Sequence, residues 1–116
     1  MGTATRAAYG HVLKTEVYKN PNVVVLEADL GNATKSNAFK EVAPERYCNM
    51  GISEQDLIGT AAGFAAAGKI PLASTFAVFA TGRAFEQVRN SVCYPKLNVK
   101  ICATHAGLTG GADGGS

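Results

Sequence analysis

The 116-residue sequence predicts an α/β domain built on a mainly parallel sheet. Three observations predict it. Apolar runs of four to six residues alternate with stretches of helical periodicity. The run at 23–26 lacks the polar alternation of a half-exposed strand, as expected for a strand covered on both faces. Polar residues, aromatics and glycines gather directly after the runs, where open α/β sheets carry their ligands.

Each element has a local cause. Residues 3–19 predict an amphipathic helix, because Tyr9, Leu13 and Val17 recur at i, i+4 and i+8 with Ala8 and Val12 beside them. Asn20-Pro21-Asn22 stops it, since proline disfavours helical geometry in its predecessor. Residues 23–26 form the first strand, which ends in Glu27-Ala28-Asp29-Leu30. Residues 31–45 are polar and turn-rich, with one helical turn at 38–42, and a short strand follows at 47–50. Residues 53–67 give the clearest helix: Ser53 is placed to cap it, Asp56 follows as in a capping box, and Gly68 ends it. Gly59 and Gly63 leave a bare stripe that lets another backbone approach. A third strand covers 70–75, with Pro71 near its start, where a missing donor is tolerated. A helix at 82–93 puts Phe85, Val88 and Val92 on one face, Phe85 being expected in the core, and Tyr94-Pro95 closes it. A fourth buried strand at 99–103 precedes the glycine-rich tail 107–116.

Composition narrows the function. Hydrophobic residues at 47% and charged residues at 17% suit one well-buried domain. The net charge of +2 comes from 11 basic and 9 acidic residues scattered along the chain, without the basic runs of a nucleic-acid binder. The apolar stretches are too short to span a bilayer and the first residues lack a signal-peptide core, so a cytoplasmic location is expected. Cys48, Cys93 and Cys102 are odd in number and far apart, which reads as free core thiols. With His11 and His105 as the two histidines, no metal site is expected within the chain.

The strand ends carry the candidate residues: Asp29, Gly51 to Glu54, Phe76 to Phe79 and His105 onward converge on one rim. Taken alone, Glu54 is an acid complementing a helix dipole. Phe76 and Phe79 can wall a flat heterocycle, although each singly also reads as core packing. His105 followed by glycines can bring donors to a phosphorylated ligand, and equally reads as a flexible end.

Together and in order, Ala28-Asp29-Leu30, Gly51-Ile52-Ser53-Glu54-Gln55, Ser74-Thr75-Phe76, Arg83-Ala84-Phe85 and Thr104-His105-Ala106-Gly107 resemble the pyrimidine-binding domain of transketolase. The likeness is greatest to the C-terminal subunit of the two-chain bacterial form and runs from about Thr3 onward. It implies a three-layer α/β/α thiamine-diphosphate-binding fold, here a single truncated domain over 1–116 lacking its last strands. It also implies a transferase of the pentose phosphate pathway, moving a two-carbon ketol group between sugar phosphates with thiamine diphosphate.

On this resemblance Glu54 is the catalytic carboxyl group that hydrogen-bonds the aminopyrimidine and drives it to its imino form, which is general acid–base work. Asp29, Leu30, Ile52, Phe76 and Phe79 line the cofactor, with Phe76 stacking on the ring. His105 and Asp113 bind the sugar phosphate. The Gly-Asp-Gly…Asn motif that holds magnesium and diphosphate is missing, so an N-terminal, diphosphate-binding subunit is the expected partner. The chain alone is then expected to be inactive and to form a homo-oligomer. Ala112 and Gly110 depart from the family's usual acid and branched residue. Deoxyxylulose-phosphate synthase and the β-type subunit of a 2-oxoacid dehydrogenase share the glutamate and the fold; a non-catalytic assembly module is a third reading.

Overall fold

A computed structural model describes residues 2–108. Asp113 and most of the glycine-rich tail therefore lie outside the described residues. Four parallel strands form one sheet in the order β2-β1-β3-β4. The strands are β1 (Val23–Glu27), β2 (Tyr47–Asn49), β3 (Ile70–Phe76) and β4 (Lys100–Thr104).

Helices cover both faces, which gives the three layers. On one face α1 (Thr5–Thr15) and the 3-10 segment Ser36–Glu41 bring Leu13 and Phe39 against Val23, Val25 and Leu72. On the other, α3 (Glu54–Ala66) brings Leu57, Ile58, Ala61 and Ala62 against Val24, Leu26 and Ala73. Successive β1 residues point to opposite cores, so the whole strand is buried and an unbroken apolar run was required. Leu57 and Ile58 are fully buried, and each such side chain contributes about 2–3 kcal/mol.

Several expectations change in detail. The first helix ends at Thr15, and Val17–Lys19 continues as a 3-10 turn. Between β1 and β2 lie a one-turn helix α2 (Gly31–Thr34) and the 3-10 turns Ser36–Glu41 and Pro44–Arg46. Ser53 occupies the N-cap position of α3 with φ/ψ of −155°/78° but makes no side-chain capping bond, and Asp56 instead accepts from Thr60. Gly68 does end the helix region in a left-handed conformation (φ 90°) that glycine adopts freely. The Gly59/Gly63 stripe meets no other part of the described chain.

The largest change concerns 82–93. That segment begins earlier and winds as the π-helical turn Phe79–Arg83, the short helix α4 (Phe85–Gln87) and the π-helical turn Val88–Cys93. Bonds from Ala84 N–H to Phe79 O and from Tyr94 N–H to Arg89 O span five residues each. Val92 lies in the core as that face predicts and Val88 packs against it, but the wider winding brings Ala84 into the core and leaves Phe85 56% exposed, so Phe85 is not a core residue. Likewise β4 is a half-exposed edge strand rather than a buried one.

Candidate active site at the carboxyl ends of the strands

The chain passes from β1 to β2 on one side and then crosses to β3 on the other, so a crevice opens at the carboxyl ends of β1 and β3. Glu54 begins α3 beside it. It is 1% exposed, and its Oε2 accepts a hydrogen bond from Arg83 Nη1 at 3.0 Å. A buried carboxylate needs such a partner, and the helix N-terminus adds favourable dipole potential. The Arg83 guanidinium also lies over the Phe79 ring, 4.6 Å from its centroid. Ile52, Ser53, Glu54, Gln55 and Arg83 line a cleft of about 350 Å³.

Phe76 and Phe79 stack with centroids 5.7 Å apart and planes 14° apart, both half-buried. They form one aromatic surface at the end of β3. His105 packs on Phe76 at 4.1 Å. Its Nε2 accepts from Arg6 Nη1 at 3.1 Å, and arginine can only donate, so the neutral ring carries its proton on Nδ1 and donates to Thr104 Oγ1 at 2.7 Å. The start of α1 and the end of β4 together fix this imidazole.

Asp29 stands at the end of β1 in a left-handed conformation (φ 60°), a geometry aspartate tolerates at modest cost. Asn49 Nδ2 donates to its Oδ1 at 3.1 Å, while Asn49 Oδ1 accepts from the amides of Asp29 and Gly51. One asparagine thereby ties the β1 end to the turn that leads into Glu54. Leu30 is half-buried and its amide donates to Glu27 Oε2 at 2.6 Å. Asp29 borders a different cleft, of about 480 Å³, with Glu27, Tyr47 and Asn49. Ile52 is 77% exposed on the rim of the Glu54 cleft.

Two residues that entered the sequence motifs without an assigned role stand out in the structure. Arg83 follows Phe79 by four positions in a helical segment, and that spacing was the available signal. Thr75 shares the α3 face of β3 with Ala73 and has a buried hydroxyl without a partner among the described residues. Among those residues no group of three His, Cys, Asp or Glu could hold a metal ion, and no helix is long and apolar enough to cross a membrane. Chemically, the site offers a shielded carboxylate that can exchange a proton or hydrogen bond, next to an aromatic surface suited to a flat ring.

The chain is 54% identical over 111 residues to a provisionally named transketolase C-terminal section of Methanocaldococcus jannaschii, covering 96% of this chain and 35% of that one. It is 37% identical to human transketolase over 97% of its own length and 18% of that protein. It thus spans about a third or less of these curated relatives. Among solved structures, a split-gene transketolase, an inactive β4 tetramer, superposes with a TM-score of 0.81 at 62% identity, covering 90% of this chain and 34% of that one. Transketolase from Campylobacter jejuni shares the fold at a TM-score of 0.73 and 22% identity, covering 83% and 15% of the two chains. The family described as the transketolase pyrimidine binding domain matches residues 1–116, and this chain belongs to it.

Proposed function

We propose that this chain supplies the heterocycle-activating half of a split transketolase, a cytoplasmic enzyme that transfers a two-carbon ketol group between sugar phosphates. The observation that carries the reading is Glu54: a carboxylate 1% exposed, at the start of a helix, hydrogen-bonded to a group that itself rests on Phe79. Such an arrangement fits the aminopyrimidine of thiamine diphosphate, which needs one shielded acid at a ring nitrogen and an apolar wall. When bound, that cofactor supplies the nucleophilic carbon and the electron sink for the transfer.

The residues of this chain have separable tasks. Glu54 Oε2 shares a proton with a ring nitrogen, and burial keeps that hydrogen bond from competing with water. Phe76 and Phe79 hold the ring's plane and exclude solvent. Ile52, Asp29 and Leu30 border it, and His105 reaches the sugar phosphate once its contact with Arg6 is exchanged. In this reading magnesium and the diphosphate fall to an N-terminal partner subunit, which the likeness to a transketolase C-terminal section and to a split-gene transketolase supports. The chain is therefore inactive alone and functions in an oligomer. The inactive β4 tetramer formed by the 62% identical relative supports both points.

Reconstitution tests this. The full-length subunit is combined with its diphosphate-binding partner, thiamine diphosphate and magnesium, and turnover is followed with a ketose phosphate donor and an aldose phosphate acceptor. Glu54→Ala is expected to lower kcat by about 10²–10⁴-fold. Undiminished turnover in Glu54→Ala, or turnover only with pyruvate and glyceraldehyde phosphate, would overturn the proposal.

A further inference from the structure

Arg83 makes, with one flat cationic group, the two contacts that a flat N–H heterocycle would make at this site. Its Nη1 donates to Glu54 Oε2 at 3.0 Å while its guanidinium carbon sits 4.6 Å from the centroid of Phe79. Guanidinium is planar, stacks on aromatic faces and donates N–H bonds in its plane, which is also how an aminopyrimidine presents itself. We propose that Arg83 is a built-in surrogate for the cofactor ring, one that pairs with Glu54 until the ring displaces it. This inference rests on the reading of Glu54 just given.

The local construction suits a side chain that swings while its backbone stays. Gln55 Nε2 donates to the Arg83 carbonyl at 3.1 Å, tying the end of the π-helical turn to the first turn of α3. The side chain itself is 51% exposed and lies along the cleft that Glu54 lines, whereas the carboxylate is 1% exposed. Leaving that carboxylate without a partner would be strongly unfavourable. Exchange of guanidinium for ring, with one proton taken up from solvent and shared between Glu54 Oε2 and the ring nitrogen, keeps it paired. The consequence is a tax on affinity: the cofactor must compete with an intramolecular ligand, so its apparent dissociation constant is the intrinsic one divided by the fraction of chains in which Arg83 is undocked.

The test measures binding without turnover. In the reconstituted two-subunit complex, thiamine diphosphate with magnesium is titrated calorimetrically in the absence of sugar phosphate. Arg83→Met keeps an unbranched stem against Phe79 but removes the donor and the charge; Arg83→Gln is a second, milder variant. Both are expected to lower the cofactor Kd, by about tenfold for Met, the scale of one charged hydrogen bond. In a Glu54→Gln background the gain from Arg83→Met should shrink to under about twofold, because the displaced contact is no longer charged on both sides. An unchanged Kd in both variants, or weaker binding, overturns the surrogate role. These outcomes are separable from failure of the functional reading: retained turnover in Glu54→Ala sinks that reading, whereas lost turnover there with no tightening in the Arg83 variants sinks this one alone.

Discussion

Arg46 and Arg83 are both laid on a phenylalanine, yet they do opposite work. Arg46 lies over Phe39 at 5.3 Å and donates to three backbone carbonyls: Asn20 and Val23 through Nη1 at 2.8 and 3.1 Å, and Tyr18 through Nη2 at 2.7 Å. It stands where β2 begins and gathers the loop that feeds β1, at the amino ends of the strands. Arg83 stands at the carboxyl ends, and among the described residues its guanidinium has a single acceptor that is itself a side chain. The carbonyls bound by Arg46 are fixed points of the backbone, whereas a carboxylate facing a cleft can take another N–H group. A cation that satisfies backbone is a clamp; a cation that satisfies one acid is replaceable. In parallel α/β sheets chemistry belongs to the carboxyl ends, and the two arginines divide along that line.

The sharpest way to break this contrast is to truncate both. Arg46→Met should cost about 2–4 kcal/mol in denaturant unfolding, since it removes three charged hydrogen bonds to the backbone and a cation–π contact. Arg83→Met should cost less, about 1 kcal/mol, because the arginine side chain is half exposed and water entering the cleft it lines can take over the Glu54 hydrogen bond. Equal losses would erase the distinction between clamp and gate.

Two buried acids near the crevice sharpen it further. Glu27, 2% exposed, is caged within the chain by the Leu30 amide and lies beside the Tyr47 hydroxyl. Burial first, and the Glu27 charge second, push the Tyr47 phenol well above its ordinary value of 10.0. Burial does the same to Tyr9, whose hydroxyl bonds Ser74 Oγ at 2.7 Å. Below the unfolded value both phenols are protonated in either state and contribute fully. Above about pH 10 the unfolded chain releases protons that the folded chain retains, so stability should fall by up to about 1.4 kcal/mol per pH unit for each group until the folded value is passed. Denaturant midpoints from pH 8 to 11 should show this decline, and Tyr47→Phe should make it shallower. An unaltered slope in Tyr47→Phe would mean that the folded chain does not hold the Tyr47 phenol above its ordinary value.

Much of this was legible in the sequence. A continuous β-branched run can be stable only between two apolar layers, so β1 and its two covering faces followed from residues 23–26. The gathering of Asp29, Glu54, Phe76 and His105 at one rim followed from strand direction alone. What was hidden depends on winding and on distant pairing. Nothing in a side chain distinguishes a five-residue from a four-residue helical bond, so Phe85 and Ala84 exchanged faces unannounced. The Glu54–Arg83 pair joins residues 29 apart in the chain and could be glimpsed only through the Phe79–Arg83 spacing.

The smallest expected effect tests the start of α3, where a structural and a chemical reading of one acid meet. A serine that truly caps a helix costs about 1 kcal/mol when changed to alanine. Ser53 makes no such bond: its amide donates to Gly51 O at 2.9 Å, and Gly51 at φ 74° sets that tight turn. Ser53→Ala should therefore change stability by less than about 0.5 kcal/mol, and a loss of a full kcal/mol would show that the hydroxyl caps after all. A neutral result assigns the helix start to Gly51 and to the acids Glu54 and Asp56 in the first turn. Glu54 then has two sources of support, the helix dipole and Arg83, and only the second is exchangeable. That asymmetry is what allows the arginine to leave: the dipole continues to favour the carboxylate while its hydrogen-bond partner changes, so helix initiation and ring activation are served by the same buried acid.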